Sequence, residues 1–393
     1  MTEEVTERRR ASLRVGVPGR EPTAYEIRVQ RGAFEEIGEL CQRDAPAHRY
    51  AIIADSRVAA LYGERALAAF GGQGAAAELF GFPAGEWNKT REEWARLSDE
   101  MLAAGFGRDA VVVALGGGVT GDLAGFVAAT FMRGLPLVQV PTTLTAMLDS
   151  SVGGKTGLDT PAAKNPIGAF HHPRLVLIDP DLLASLPAFQ LASGLAEAVK
   201  TAAIADEGLF TWLEAEAVTL CEPDLELLTE LIERVVAIKA EVVEEDPREE
   251  GRREILNFGH TIGHALEALG GYAVLHGEAV ASGMRIEGRI GELMGITDIG
   301  TADRLTVLLA ACGLDRPVEE EFTADQLIEA ARSDKKARVG VIRCVLLRRI
   351  GEIAGGEDKT FSHELSSEAA RDLLTSAAHP PGAEDELDDD GVM

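Results

Sequence analysis

Apolar residues follow two different periodicities along this chain, and the change falls near residue 186. In the first part, short β-branched runs that end in turn residues alternate with runs of helical spacing. The strand-like runs are 50–55 (YAIIAD), 110–118 (AVVVALGGG), 135–143 (LPLVQVPTT) and 174–179 (RLVLID), and the helix-like runs include 31–42 and 90–105. Strands and helices that alternate in this way predict a doubly wound α/β domain with parallel strands.

Beyond residue 186 the apolar spacing is mostly helical. We therefore predict a flexible N-terminus over residues 1–10, an α/β domain over 11–186, a mainly α-helical domain over 187–375 and an acidic, disordered tail over 376–393. The tail is interrupted by proline and has no apolar pattern. Ligand sites tend to lie in clefts between domains, so we expect the active site in the cleft between the two.

Composition narrows the class of protein. The chain has 393 residues and a net charge of 38 − 65 = −27, which makes it a poor partner for nucleic acid or an anionic membrane. Its four cysteines are far apart, as is typical of reduced thiols in the cytoplasm. The N-terminus lacks the apolar segment of a secretion signal, and no apolar run is long enough to span a membrane. We expect a cytoplasmic protein without a membrane segment.

Two features of the α/β part are typical of a nucleotide site. The glycines Gly116, Gly117 and Gly118 follow a strand and precede an apolar helix, where a backbone without side chains can approach a pyrophosphate. Asp55 ends an early strand, the usual position of a ribose-binding acid. A tight strand–helix turn is the alternative for the glycines. Glu86 and Lys89, just before a helix, equally fit an exposed loop with a helix cap.

Residues 140–170 are unusually rich in glycine, threonine and charged groups with little amphipathic pattern. Lys155 follows two glycines, a setting suited to phosphate. The spacing of a P-loop is missing, so a nucleoside triphosphate is not implied. A structural loop of this length and composition would be uncommon.

Polar residues in the helical part have spacings that indicate a metal or substrate site. Arg253, Asn257, His260 and His264 fall at i, i+4, i+7 and i+11, the positions that an amphipathic helix would bury. The spacing of the two histidines is that of a zinc protease, but the catalytic glutamate is missing. His276 begins the next helical run. Two histidines with one carboxylate would suit zinc, and spacing alone does not rank the three histidines as ligands.

Glu197 is the best candidate for the carboxylate. It lies three residues before Lys200 in an alanine-rich helical run, so a buried pair is expected, although a solvated salt bridge is the alternative. A solvated surface position is also the alternative for Lys239, Lys335 and Lys336.

Eight motifs in this order resemble 3-dehydroquinate synthase, a member of the sugar phosphate cyclase superfamily: GGGVTGD, FMRG, PTTLTAMLDSSVGGKTG, KNPIGAF, GLAEAVK, RREILNFGHTIGHALE, LHGEAV and SDKK. The resemblance runs from about residue 50 to about residue 350. It implies a Rossmann-like, NAD-binding N-terminal domain and a helical domain that holds one zinc or cobalt ion. It also implies a homodimer in which Arg133 reaches the neighbouring active site.

The resemblance assigns roles to individual residues. The implied metal ligands are Glu197, His260 and His276, with His264 beside the reacting substrate instead of on the metal. The implied NAD-side residues are Asp55, Glu86, Lys89, Gly116, Gly117, Gly118, Asp122, Thr142 and Thr143. The implied substrate-side residues are Asp149, Lys155, Asn165, Lys200, Lys239, Arg253, Asn257, His264, Lys335, Lys336 and, from the neighbouring subunit, Arg133.

The implied substrate is 3-deoxy-D-arabino-heptulosonate 7-phosphate. Its alcohol is oxidised by NAD, phosphate leaves by β-elimination, the ketone is reduced again, and ring opening and an aldol step close the carbocycle. A cationic pocket in an acidic protein suits a substrate with a carboxylate and a phosphate. Related cyclases that form aminodehydroquinate or other secondary-metabolite carbocycles are the alternative, and a metal-dependent polyol dehydrogenase is a further one.

Overall fold

The computed structural model describes residues 10–17, 23–161, 163–222, 224–271, 273–333, 341–355, 360–365 and 367–378. The described residues form two compact units: one contains those up to residue 198 together with 219–249, and the other contains 199–218 together with those from residue 250 onwards. The predicted domain boundary near residue 186 stays a prediction. Most of the acidic tail predicted over 376–393 lies outside the described residues, as do residues 1–9.

The first unit is built on a seven-stranded sheet. Its strands and helices in chain order are β1 (Arg10–Val17), β2 (Thr23–Gln30), α1 (Ile37–Asp44), β3 (Arg49–Asp55), α2 (Ser56–Gly71), β4 (Ala76–Phe82), α3 (Arg91–Ala103), β5 (Ala110–Gly116), α4 (Gly118–Thr130), β6 (Leu137–Pro141), β7 (Lys155–Thr160), β8 (Ala163–Phe170), β9 (Leu175–Ile178), α5 (Ala188–Ala205, whose last seven residues count with the second unit) and, later in the chain, α7 (Leu225–Glu245).

The strand-like runs in the sequence are continuously apolar because the strands that they form lie inside the sheet. The sheet runs β1-β2-β9-β6-β5-β3-β4, with parallel pairing everywhere except between β1 and β2. Every residue of β5 is buried, as expected for a central parallel strand with both faces covered. The predicted doubly wound α/β fold is therefore confirmed. Residues 155–170, which the sequence set apart, form the antiparallel hairpin β7–β8.

One apolar cluster covers a face of this sheet. It joins residues of β3 and β5 to Leu97 and Met101 of α3, Leu123 and Val127 of α4, and Leu158 of β7. The packing of α4 and β7 in the same cluster fixes the glycine turn and the hairpin against the sheet. Both segments carry predicted site residues, so the core of the unit also positions the site.

The second unit is mainly helical, as predicted. It contains α6 (Glu207–Leu220, whose last two residues count with the first unit), α8 (His260–Gly270), α9 (His276–Leu293), α10 (Thr301–Ala311), α11 (Ala324–Ser333), β10 (Ile342–Val345), β11 (Leu347–Arg349), β12 (Glu352–Ile353), β13 (Ser362–Leu365) and α12 (Ser367–Ala378). Its core joins α8 and α9 to α11, β10 and α12. None of the helices in the described part of the chain combines the length and apolar character that a membrane span requires.

Candidate active site

The carboxyl ends of three adjacent parallel strands bring predicted cofactor residues together. Asp55 ends β3, Gly116 ends β5 and Thr142 follows β6. Because β6, β5 and β3 are neighbours, these residues share the edge of the sheet at which open α/β folds bind ligands. The Thr142 N–H donates to the Gly116 carbonyl oxygen over 3.0 Å. Asp55 also caps α2, since one carboxylate oxygen accepts the N–H groups of the helix's second and third residues.

The glycine turn leaves little room for side chains. Gly117 is the N-cap residue of α4, and Gly118 is the first residue of that helix. A Cβ atom on Gly116 would lie 2.3 Å from the hydroxyl oxygen of Thr120, and one on Gly117 would lie 3.1 Å from the methyl group of Thr143. The turn therefore presents bare backbone at a helix N-terminus, which fits a pyrophosphate.

Lys89 lies at the centre of a buried cluster of carboxylates. Its side chain is 2% exposed, and its ammonium contacts Glu86, Asp122 at 3.2 Å and Asp159 at 3.5 Å. The alternative of an exposed loop and cap is therefore wrong for Lys89, although Thr90 beside it does cap α3. Burial alone would strip the charge from an ammonium, so the carboxylates are what keep Lys89 charged.

The pKa values of Lys89, Asp122 and Asp159 all lie above their ordinary values, but for different reasons. Burial lowers the pKa of Lys89, but attraction to Asp122, Glu86 and Asp159 outweighs it, so the pKa lies above its ordinary value. Burial raises the pKa of Asp122 to about 6, and the attraction of Lys89 only partly opposes that rise. Burial also raises the pKa of Asp159. Perturbed groups of this kind are typical of functional sites.

Asp159 links this cluster to the hairpin β7–β8. Its carboxylate accepts the backbone N–H of Asn165 over 2.7 Å. Asn165 has a φ of +51°, in the left-handed region that non-glycine residues rarely adopt. The carboxylate therefore helps to hold the left-handed turn at a residue that the resemblance assigns to the substrate side. No periodicity in the sequence relates Asp159 to Lys89, so Asp159 was not among the predicted site residues.

Two predicted substrate-side lysines lie against carboxylates in the same unit. Lys239, on α7, is 4% exposed and donates to the carbonyl and carboxylate oxygens of Asp149, which lies in a single π-helical turn. The solvated alternative is therefore wrong for Lys239. Lys155 is the first residue of β7, and its half-exposed side chain pairs with Glu249, a residue that the sequence did not indicate.

Arg133 stands on an unusual turn. It follows Met132 and precedes Gly134, and the three residues have φ values of +51°, +71° and +113°. Its side chain is exposed. Consecutive left-handed residues are costly, and such backbone strain is concentrated at functional sites. The turn projects an exposed cation from the end of α4.

Glu197 and Lys200 are both buried, each 1% exposed, on α5. The expectation of a buried pair in place of a solvated salt bridge is confirmed in its burial. Helix α5 is continuous, and the division between the two units passes between Ala198 and Val199.

The polar residues Arg253, Asn257, His260 and His264 do not lie on one helix, so the prediction from their spacing is wrong. Residues Arg252–Asn257 form a 3-10 helix, and α8 begins only at His260. Gly259 between them has a φ of +77°, a left-handed value that ends any continuous helix. Arg253 is nevertheless buried, at 2% exposure, so it is not a surface residue.

The glycines at the start of α8 let helix α9 approach closely. A Cβ atom on Gly259 would meet Met284 at 2.5 Å, and one on Gly263 would meet the Ala279 carbonyl oxygen at 3.2 Å. From the other side, a Cβ atom on Gly283 would lie 1.9 Å from the Gly259 carbonyl oxygen. Helices α8 and α9 therefore touch through their backbones, and α9 begins at His276, as expected.

Glu197, His260 and His276 form a group that could hold a metal ion. Each offers one ligand atom, and these atoms lie within 4.8 Å of one another. The ring centres of His260 and His276 are 5.4 Å apart. Two imidazoles and one carboxylate fit zinc or cobalt and leave coordination positions for a substrate. The structure thus brings the three expected ligands together, and the binding of a metal there stays a prediction.

The two histidines are oriented through their Nδ1 atoms. His276 Nδ1 lies 3.2 Å from a carboxylate oxygen of Glu267, and His260 Nδ1 lies 3.2 Å from the Phe258 carbonyl oxygen. With Nδ1–H as the donor, a metal would bind Nε2, and an acceptor of this kind is a common partner of metal-binding histidines. His264 stacks edge-on against His260, with 5.3 Å between ring centres. Lys335 and Lys336 lie outside the described residues.

Two family models match this chain. Residues 79–193 match the model of the 3-dehydroquinate synthase N-terminal domain, and residues 194–337 match that of its C-terminal domain. The 3-dehydroquinate synthase of Symbiobacterium thermophilum is 46% identical over 331 residues, which are 84% of this chain and 92% of that protein.

Solved structures with the same fold hold both kinds of cofactor. A 2-deoxy-scyllo-inosose synthase complexed with carbaglucose-6-phosphate, NAD⁺ and Co²⁺ has a TM-score of 0.84 and 26% identity, and the match covers 93% of this chain and 99% of that one. The 2-epi-5-epi-valiolone synthase of Streptomyces hygroscopicus with NAD⁺ and Zn²⁺ has a TM-score of 0.81 and 29% identity, with coverage of 92% and 99%.

Proposed function

The chain belongs to the 3-dehydroquinate synthase family, and we propose that it converts 3-deoxy-D-arabino-heptulosonate 7-phosphate into 3-dehydroquinate and phosphate. The observation that carries the proposal is the convergence of Glu197, His260 and His276 on one possible metal position. A metal-dependent polyol dehydrogenase would not require the buried cations Lys200, Lys239 and Arg253.

The residues present fit both cofactors. When bound, NAD supplies a reversible hydride acceptor and a zinc or cobalt ion supplies a Lewis acid for the substrate alcohol. Glu197, His260 and His276 would hold the ion. The bare turn of Gly116, Gly117 and Gly118 would receive the pyrophosphate, with Asp55, Thr142 and Thr143 beside it and the Lys89 cluster, which includes Glu86 and Asp122, completing the NAD side.

The remaining residues bind and orient the substrate in this proposal. Lys155, Lys200, Lys239 and Arg253, with the Lys335–Lys336 pair, neutralise its carboxylate and phosphate groups. Asp149, Asn165 and Asn257 fix its hydroxyl groups. His264, next to His260, faces the reacting carbons, where it moves a proton during phosphate departure.

The test is a product assay on the purified full chain. We expect the heptulosonate phosphate, with NAD and zinc or cobalt, to yield equal amounts of phosphate and dehydroquinate. NADH in amounts equal to the consumed substrate, without phosphate, would show a dehydrogenase instead. An amino-substituted substrate offered in parallel tests the aminodehydroquinate alternative. His48→Ala, at an exposed histidine, should leave the rate unchanged and serves as a control for histidine substitutions.

A homodimer with shared sites is part of the proposal, because an exposed arginine on the strained turn at Arg133 is suited to reach a neighbouring molecule. Light scattering on the purified chain measures its molar mass and so tests for a dimer. Mixing inactive Arg133→Ala with inactive His260→Ala tests the sharing. Random pairing gives half heterodimers, each with one intact site, so activity should return to about a quarter of the wild-type value. No recovery in a mixture shown to exchange subunits would contradict a shared site.

We also propose a cytoplasmic location, since this compartment holds NAD and keeps thiols reduced, and the chain's four cysteines are far apart in the sequence with no CxxC pair. Cell fractionation with an antibody to the chain measures it; recovery in the membrane or external fraction would contradict it.

A further inference from the structure

Glu287 is a buried acid that the reaction described above does not use. It lies in the middle of α9, and its side chain is fully removed from solvent. An isolated carboxylate is costly to bury, so a core helix would ordinarily carry an apolar residue at such a position. A charged Glu287 therefore requires hydrogen-bond donors next to its carboxylate.

Its partners are backbone groups of α8 on either side of a predicted metal ligand. One carboxylate oxygen accepts the Gly259 N–H over 2.7 Å, and the other accepts the Ile262 N–H over 3.2 Å. Gly259 immediately precedes His260, and Ile262 is two residues after it. Glu287 thus holds the turn that carries His260 through hydrogen bonds on both sides of that residue.

The two bonds replace a missing cap. Gly259 is the N-cap residue of α8 and has no side chain, so it cannot satisfy the N–H groups of the first turn. In a capping box, side chains of the same helix satisfy the N–H groups of the N-cap and third residues. Here Glu287 accepts these same two N–H groups from a neighbouring helix, and its negative charge lies at the positive end of α8.

We propose that Glu287 is a positioning residue that holds His260 at the distance from His276 that the metal requires. The inference rests on the proposed metal site. Helix α9 carries His276 at its first residue and Glu287 three turns later, so the bonds from Glu287 fix the two histidines with respect to each other. The close backbone contact between Gly283 and Gly259 also restricts movement of α8 relative to α9.

The chain contains a matched control on the same helix. Glu292 is also a buried glutamate of α9, and one of its oxygens accepts the N–H groups of Gly300 and Ala302 at the start of α10 over 2.9 and 3.0 Å. Helix α10 carries no predicted site residue. Loss of Glu292 therefore removes a comparable cap without touching the turn of His260.

The experiment measures metal affinity on the full chain by competition with a chelator, with zinc or cobalt as the only added ligand. Glu287→Gln keeps the size of the side chain but offers one acceptor where two are needed. We expect metal binding about 10-fold weaker in Glu287→Gln and about 100-fold weaker in Glu287→Ala, with a shifted cobalt absorption spectrum. Glu292→Ala should bind metal within twofold of wild type.

The outcomes separate the two proposals. If wild type binds one metal and folded Glu287→Gln binds it equally well with an unchanged cobalt spectrum, the positioning role is wrong, whether or not Glu287→Ala folds. Equal weakening in the Glu287 and Glu292 variants would also overturn it, because stability alone would then explain the loss. If wild type binds no metal, the proposed metal site itself is wrong.

Discussion

Replacing Lys89 by methionine tests whether the buried charge cluster is held together by its single cation. Two unit charges 3.5 Å apart interact by about 5 kcal/mol at an effective dielectric of about 20. Three carboxylates lie at about this distance or less. Desolvation of the ammonium and repulsion among the carboxylates cancel most of that attraction. We therefore expect a net loss in the free energy of unfolding of about 3–5 kcal/mol for Lys89→Met at pH 8.

The loss should shrink as the pH falls. The pKa of Asp122 is already raised to about 6 by burial, and Lys89 opposes that rise more strongly than Lys164 does. Without Lys89 the carboxyl pKa climbs further, so the folded variant binds protons that the unfolded chain does not. A folded-state pKa above the unfolded one means stability gained as the pH falls. The difference between variant and wild type is expected to be smaller at pH 5.5 than at pH 8.

The assay is urea unfolding at both pH values, followed by hydrogen exchange of the α4 and β7 amides, which report on this unit. Lys164→Met is the matched control, because Lys164 is one-third exposed and lies 3.8 Å from Glu86. It should cost less than about 1 kcal/mol. A Lys89→Met loss that is equal at both pH values, or that is no larger than the Lys164→Met loss, would refute the reasoning.

Three further predictions concern the metal and substrate sides. Gly283→Ala should cost about 1–3 kcal/mol in thermal unfolding, because its Cβ atom would collide with the Gly259 carbonyl, whereas Gly71→Ala, with open space around it, should stay within about 0.5 kcal/mol; equal effects would contradict the backbone contact. His260→Ala should lose its metal on dialysis while His264→Ala keeps one equivalent and loses rate; equal metal loss in both contradicts the ligand set. Lys239→Met should lower kcat/KM about 100-fold, because Lys239 anchors Asp149, and unchanged kinetics would remove both from the site.

Hydrophobic periodicity was sufficient for the fold because the parallel strands are buried on both faces. Strand β5 is apolar throughout. It ends at Gly116, within the strand-like run that was predicted over residues 110–118. The one clear error concerned the stretch from Arg253 to His264. Its spacing suited a single helix, but Gly259 is left-handed and the first turn of α8 is capped from α9. Such a cap depends on a distant residue and leaves no local pattern.

The site was predictable as far as its residues carry a chemical signature. Histidines, glycine-flanked lysines and the glycine turn could be selected from the sequence. The acids that organise them could not, because Asp159, Glu249 and Glu287 look like ordinary surface residues until the fold brings them to Lys89, Lys155 and α8. Among the acids near the site, Glu267, which contacts His276, lies closest in sequence to a predicted ligand, because it is on the same helix as His260.

In the proposed reaction NAD is used catalytically, without net oxidation, by a chain that also binds a metal and a phosphorylated substrate. This use of NAD is tested most directly by supplying one equivalent of NAD per chain, with metal and excess heptulosonate phosphate, and counting released phosphate against absorbance of NADH. We expect at least about a hundred phosphates per NAD, with no accumulation of NADH. Release that stops near one equivalent while NADH accumulates would contradict it.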